Sequence, residues 1–531
     1  MRLIFIFLIL SFVIVCVVFS QVPLDTILVK IYFESSDEKN IIINEGIDVW
    51  EAKDNYILAL LDIFEMAVLT GKGYFIELVE INRDDLKQNI NISDSEQLPF
   101  AVYRDYSTVC DALFALEASG VARVYNIGTS IQGRDILAVK ISDNVDAEED
   151  EPEILFCGNH HAREWISVEV PLMLAEFLTS QYAVNSYIKD IVDNGEIWIC
   201  PVVNPDGYVY SWNTYRLWRK NRRLNSDGSY GVDLNRNYSY MWGGVGSSGT
   251  PSSDIYRGTA PFSEPETESV RDLVLSRNFR AVLTYHSYSQ LILFPWGYTS
   301  DHCPHYPLFY MMAQEMANCI YDVFGFTYTA QQSAALYLTT GDTTDWAYGQ
   351  LGIPAFTIEL RPNSYPPGFE LPADQIIPTF EENKPAALFL IEWAQEIVDQ
   401  DFDSLPDSWE YFNLNDITYT ATDDNDMDGK TNFDEFTAGT DPLDPDSYFG
   451  IINISVTDEV TIEWKSIEGK FYNIYYSDEE IENTPAWKLA VSGFPASSGP
   501  ATYWVDDGTY TEVSPTDSSV MNRIYRVGVS R

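Results

Sequence analysis

Ile154-Leu-Phe-Cys-Gly-Asn-His-His-Ala-Arg-Glu-Trp165 decides the reading of this chain. An apolar run of strand length ends at Gly158 and is followed at once by His160, His161, Arg163 and Glu164. Strands buried on both faces read as near-continuous apolar runs, and open α/β sheets place their sites just beyond the carboxyl ends of such strands. A second apolar run, Ala281–Tyr285, leads into His286, and a third, Ala355–Ile358, into Glu359. His161, Glu164 and His286 are the donor types that hold a catalytic zinc and leave its fourth position to water. Glu359 supplies the base that such a site needs. The chain has only five histidines, so their placement at two strand ends beside carboxylates is not casual. His160 and His161 are neighbours, and one of them is not a ligand. No His-Glu-x-x-His or His-x-x-Glu-His occurs, which excludes the common helix-borne zinc protease arrangements.

Working outward, apolar strands around 154–157, 197–203, 281–285 and 355–358 alternate with helical stretches. That pattern predicts an α/β domain whose mixed, mostly parallel sheet is covered by helices on both faces. Ser263-Glu-Pro-Glu266 reads as a capping-box start for one of the helices. Before this domain, strand-like segments at 27–33, 48–52, 56–61 and 74–79 alternate with helical ones and form a small α/β region. After it, short alternating strands at 460–464, 471–476, 503–506 and 524–529 predict a β-sandwich-like module. That module carries no catalytic constellation, and its aromatics read as core.

Two acidic loops lie between. Asp424-Asn-Asp-Met-Asp-Gly429 continues through Asn432 to Glu435, placing oxygen ligands at positions one, three, five, nine and twelve and glycine at six of a calcium loop. Asp399, Asp401, Asp403, Asp407 and Glu410 repeat the spacing, with Ser404 in place of the glycine. A run of acids is usually a solvated linker, but the full register occurring twice predicts calcium. Gly439-Thr-Asp-Pro442 resembles the end of calcium-binding repeats in secreted bacterial proteins.

Met1–Ser20 combines Arg2, a long apolar run and a small residue before Gln21, the pattern of a cleaved signal peptide. No second stretch is apolar for long enough to span a bilayer. The net charge of −48 excludes nucleic acid and anionic lipid as natural partners. Past the signal, Cys157 and Cys200 sit in apolar runs as buried thiols, while Cys303 and Cys319 are candidates for a disulfide.

At this point the chain resembles the zinc metallocarboxypeptidases of the pancreatic A and B type, as a secreted bacterial member. The resemblance spans about residues 102–398. It rests on His161-Ala-Arg-Glu-Trp165, Asn204-Pro-Asp-Gly207, Arg216-Leu-Trp-Arg-Lys220, Asp233-Leu-Asn-Arg-Asn237, Tyr285-His-Ser-Tyr-Ser-Gln290 and Phe356-Thr-Ile-Glu-Leu-Arg361, in the family's order. It implies zinc on His161, Glu164 and His286, Glu359 as general base and acid, and Arg219 as the oxyanion-stabilising arginine. It further implies that Asn235 and Arg236 bind the substrate's terminal carboxylate, that Tyr337 closes over it and that Arg163 assists. The family's usual disulfide has no cysteines here. Thr344, at the position that separates A-type from B-type specificity, fits neither. Asp342 resembles an acid of bacterial members with mixed specificity and implies acceptance of Lys or Arg beside apolar C-terminal residues.

The resulting division is a signal peptide at 1–20, a prosegment-like α/β region at 21–100 and the catalytic domain at 101–398. A calcium-binding connector at 399–446 and a β-rich accessory domain at 447–531, with contact to a cell surface or matrix as a further reading, complete it. The expected function is hydrolysis of C-terminal peptide bonds of peptides and proteins outside the cell. The alternatives are a peptidase of cell-wall peptides and a noncatalytic peptide-binding surface protein; the presence of Glu359 beside all three ligands weighs against the latter, since a binder needs no base.

Overall fold

The computed structural model describes residues 26–79, 102–147, 149, 151–467, 470–478, 486–517, 520 and 522–529. The expected signal peptide lies outside the described residues. The chain divides into two compact units, one through Leu388 and one from Phe389 to Arg531.

The first unit opens with an antiparallel sheet of β1 (Ile27–Tyr32), β2 (Asp48–Ala52), β3 (Tyr56–Leu61) and β4 (Phe75–Leu78) in the order β2-β3-β1-β4. Helices Ser36–Ile43 and Ile63–Gly71 complete it, and Val29, Ile31, Ile42, Ile57, Ala59 and Leu69 form its core. The second helix starts on a true capping box: Asp62 accepts from the Glu65 amide while Glu65 reaches back to the Asp62 amide.

Eight strands form the main sheet: β5 (Ala122–Thr129), β6 (Asp135–Ile141), β7 (Glu153–Gly158), β8 (Glu196–Cys200), β9 (Phe279–Ser287), β10 (Leu291–Phe294), β11 (Thr329–Gln332) and β12 (Ala355–Leu360). Their order is β11-β10-β12-β9-β7-β8-β6-β5. The central β12, β9, β7 and β8 run parallel, whereas β10 and β6 join them antiparallel, so the sheet is mixed as expected. Every residue of β7 and β8 is buried. Successive strand side chains point to opposite faces, so complete burial means that both faces are covered. Helix Ile166–Gln181 packs on β7 and β9, and Tyr306–Phe324 on β10 and β11.

Two local expectations are corrected. The helix expected to start on a capping box at Ser263 instead begins at Pro265, with Glu264 in the cap position and no side-chain cap bond. Arg223 and Asn221 hold the Glu264 carboxylate, and the Ser263 hydroxyl donates to it rather than accepting from a helix amide. No disulfide joins Cys303 to Cys319. Cys303 precedes the helix that starts at Tyr306 and Cys319 lies well along it. At ~1.5 Å of rise per residue the two are far beyond the ~7 Å Cα separation that a disulfide tolerates.

In the second unit, each acidic loop leads into a short helix, Asp407–Leu414 and Asn432–Ala438. Two three-stranded antiparallel sheets follow: β13 (Ile451–Val456), β14 (Val460–Lys465) and β17 (Ala501–Asp506) in one, β16 (Lys488–Pro495), β15 (Phe471–Ser477) and β18 (Ile524–Val529) in the other. Ile462, Trp464, Tyr472, Ile474 and Trp504 form a core shared by both sheets, as a sandwich requires.

Candidate active site

The candidate site grows from the carboxyl ends of three neighbouring parallel strands. At the end of β7 the chain turns sharply: a side chain on Gly158 would place its Cβ 2.1 Å from the Ser167 carbonyl, and Asn159 sits at φ 58°. Glycine provides that close approach, and Asn tolerates the left-handed conformation better than most residues. The turn is tied to the start of helix Ile166–Gln181, because Ser167 Oγ accepts from the Asn159 amide at 3.1 Å and donates to the Glu164 carbonyl at 2.6 Å.

This turn delivers His161 and Glu164 to His286 on β9. Glu164 lies between the two imidazoles, 2.8 Å from His161 Nδ1 and 3.0 Å from His286 Nδ1, and the two ring nitrogens are 3.2 Å apart. All three side chains are buried. One nitrogen from each ring and the carboxylate converge within 4.8 Å of one another, a donor set that fits zinc with a position left open. His160 is not part of it. It is fully buried and bonded to Tyr238, Thr284 and Thr343, a satisfied core histidine.

Glu359 on β12 stands in register with His286 on β9. It lines one cavity with His161, Glu164 and Arg219, and a second with Asn235, Arg236 and Tyr337. Burial and the negative charge of Glu164 push its carboxyl up to about 8, against the pull of His286, Arg219 and Arg236. Burial also opposes ionisation of Glu164, but the two histidines outweigh it and hold that carboxyl below the usual range.

The zinc carboxypeptidase family model matches residues 110–386, more than half of the chain. The chain belongs to the zinc carboxypeptidase family. A carboxypeptidase B of Astacus astacus is 39% identical over 53% of this chain and 93% of its own. A zinc carboxypeptidase of Simulium vittatum is 39% identical over 51% of this chain and 88% of its own. Among solved structures, carboxypeptidase A from Helicoverpa armigera superposes with a TM-score of 0.62 at 25% identity, covering 70% of this chain and 97% of that one. The protein is thus a zinc metallocarboxypeptidase, a hydrolase of a family that acts on peptide C-termini, and the noncatalytic alternative falls.

Within this carboxypeptidase, the residue that sequence reasoning left without a role is Asp233. Fully buried, it reaches His161 Nε2 at 3.1 Å through one oxygen and accepts from Arg219 at 2.8 and 3.1 Å through the other. Burial alone would raise its carboxyl, yet Arg219 and His161 hold it well below the usual range. Its segment was visible in the sequence, but nothing in one sequence shows that residues so far apart meet. Asn235 accepts from the Thr343 amide and hydroxyl, and Arg236 is anchored by the Gly246 and Asn235 carbonyls. Asp342 caps helix Thr343–Leu351 by accepting from the Asp345 amide, and it also accepts from the hydroxyls of Thr339 and Thr344. It nevertheless lines the cavity of Arg236 and Tyr337.

The small N-terminal sheet roofs the cleft, with Val49, Trp50, Glu51 and Ala52 lining the cavity of His161 and Glu359. Asp48 takes both ends of the buried Arg163 guanidinium, at 2.5 and 2.7 Å, and Phe369 lies 4.0 Å beneath it. Lys39 donates to the Ala335 and Leu336 carbonyls just before Tyr337, and Tyr337 packs on the core of the N-terminal sheet.

Groups that orient a metal-binding histidine commonly contribute 10- to 100-fold to metal affinity. Asp233→Asn should therefore weaken zinc binding by about 10- to 100-fold. Competition with a chromophoric chelator measures this, and wild-type affinity in the variant would remove Asp233 from the metal site.

Proposed function

We propose that this carboxypeptidase is secreted and hydrolyses the C-terminal peptide bond of peptides with Glu359 as the proton shuttle. The supporting observation is the register of Glu359 beside His286, inside the cavity shared with Arg219 and Tyr337. His161, Glu164 and His286 would hold the zinc, which when bound polarises the scissile carbonyl and acidifies water to a pKa of about 7. Glu359 takes a proton from the attacking water and returns it to the leaving amine as the carbon–nitrogen bond breaks. Arg219, oriented by Asp233, faces the developing oxyanion, where a fixed donor in a dry site contributes several kcal/mol. Asn235 and Arg236 grip the terminal carboxylate, with Arg163 assisting and Tyr337 closing over it, and this grip makes the enzyme an exopeptidase.

The N-terminal region acts as an inhibitory prosegment in this reading. Its Asp48 carboxylate occupies Arg163, and β2 occupies the approach to Glu359. Asp342 gives the side-chain pocket a carboxylate beside Leu293 and Leu336, so that the pocket takes Lys or Arg as well as apolar residues. Its three accepted bonds leave about one acceptor position open, since a carboxylate accepts about four hydrogen bonds. Secretion rests on the leader-like residues 1–20, and N-terminal sequencing of the exported chain should start near Gln21; an export product retaining Met1 would overturn it. The acidic connector is assigned structural calcium.

Glu359→Gln should keep zinc and peptide binding but lower kcat by about 10²- to 10⁴-fold. Release of C-terminal amino acids from a peptide panel checks this, and near-normal turnover rules out the shuttle. Asp48→Ala leaves Arg163 buried without its partner, a change that costs roughly 3–5 kcal/mol where such pairs are fully desolvated. The uncleaved variant should then exceed the uncleaved wild type in activity by at least about 10-fold, while the two become equal after removal of the N-terminal region; equal activity before removal would make that region a permanent accessory. Asp342→Asn keeps an acceptor for the helix cap and deletes the charge. It should lower kcat/KM for C-terminal Lys and Arg while sparing Phe and Leu, and an equal loss on all four substrates would leave Asp342 only its capping role.

A further inference from the structure

We propose that the acidic segment holds two calcium ions in two loops built to one plan, closed by Glu410 and Glu435 and coupled through a shared core. This rests on the calcium reading of the connector and names the number of ions, their ligands and their linkage.

The plan is visible atom by atom. In the first loop Asp399 accepts from the Ser404 amide at 3.0 Å, Asp401 from Asp403 at 3.3 Å and Asp403 from Leu405 at 2.8 Å. In the second, Asp424 accepts from Gly429 at 3.0 Å, Asp426 from Asp428 at 3.0 Å and Asp428 from Lys430 at 2.6 Å. The backbone repeats as well. Phe402 and Met427 at position four stand at φ 61° and 65°, and Ser404 and Gly429 at position six at φ 85° and 90°. Ser404 thus adopts the left-handed conformation that its glycine counterpart takes freely.

Hydrogen bonding within a loop does not by itself make a site; the buried carboxylates do. Glu410 is 0% exposed, and neither of its oxygens has a hydrogen-bond partner among the described residues. The charges that bear on it are those of Asp399, Asp401, Asp403 and Asp407, so it faces into the loop. Glu435 is 1% exposed with Oε2 unpartnered among the described residues, and of the charges that bear on it those of Asp426 and Asp428 weigh most, ahead of Asp441. Asp407 and Asn432, at position nine, are equally buried and each carries one unpartnered oxygen. No Lys or Arg pairs with any of these acids among the described residues. A buried, unpaired carboxylate among like charges is costly, and buried charges are paired or coordinate metals. An all-oxygen donor set drawn from positions one, three, five, nine and twelve of a twelve-residue loop suits calcium, whereas softer ions prefer nitrogen and sulfur.

The loops are also joined. The second oxygen of Asp403 accepts from the Ala421 amide at 2.5 Å, and the Ala421 carbonyl accepts from the Phe433 amide next to Asn432. Leu405, Trp409 and Leu414 pack with Ala421, Phe433 and Phe436, and the Trp409 and Phe436 rings meet edge-on at 5.4 Å. Ordering one loop therefore orders part of the other, which gives positive coupling.

Calcium chloride titrated calorimetrically into calcium-depleted, zinc-reloaded full-length protein should show two ions per chain, half-saturated at or below about 1 mM. Glu410→Gln and Glu435→Gln should each bind one ion, with the remaining site weakened at least about fivefold. Without calcium, Glu410→Gln should melt above wild type because like-charge repulsion is relieved; with calcium it should melt below. That crossover also serves if a variant proves too fragile to titrate. Absence of saturable binding by wild type overturns the calcium reading itself. Two ions retained in Glu410→Gln, or independent sites, overturn the ligand assignment or the coupling while calcium stands.

Discussion

The parallel register of β7, β9 and β12 is the constraint on which the rest depends. Glu359 is the register partner of His286, and Gly158 at the end of β7 is the partner of Tyr285, one residue before it. Neighbouring strands lie ~4.8 Å apart, so the base, one metal ligand and the turn that carries the other two are brought within reach before any side chain is chosen. A one-residue slip would turn Glu359 to the opposite face of the sheet. Burial of all but one residue in each of β12 and β9 resists such a slip, since it would displace side chains matched to both covering layers.

On this frame the site is assembled from buried charges that are each held by another. Asp233 is shared between His161 and Arg219, Glu164 between His161 and His286, and Arg163 by Asp48. Buried charges are tolerated only when paired or coordinated, so these contacts specify geometry closely even where they add little net stability. The same rule joins the N-terminal sheet to the cleft. Arg163 carries a charge that must find a carboxylate, and Asp48 supplies it from a segment that also covers Glu359. In the second unit the rule leaves a conspicuous remainder, because both oxygens of Glu410 and Oε2 of Glu435 are buried without a hydrogen-bond partner among the described residues.

Much of this was legible in the residue order. The apolar runs at 154–157, 281–285 and 355–358 became β7, β9 and β12, because a strand buried on both faces announces itself by composition alone. The four N-terminal strands fell within a residue of their expected bounds, since alternating and apolar segments separated by turns are local signals. Edge strand β5 and the short β10 and β11 went unread: half-covered or brief, they carry a weaker pattern; β6 went unread as well, although all but its first residue is buried. The expected cap at Ser263 failed for a related reason, because Arg223 and Asn221 compete for the neighbouring carboxylate from outside the local sequence.

What the sequence determined by itself was the chemistry available: two histidines and two carboxylates at strand ends, arginines in polar and aromatic segments, and a calcium-loop spacing written twice. Those are properties of residue type and of short spacing, which the chain carries unfolded. Only the tertiary structure decided which groups meet. It set His160 aside among Tyr238, Thr284 and Thr343, and put Asp233 between His161 and Arg219. It also brought Asp48 to Arg163 across a long stretch of sequence and gave Asp342 a helix to cap. Contacts of that kind come from strand order and packing, and so belong to the folded molecule rather than to any segment of it.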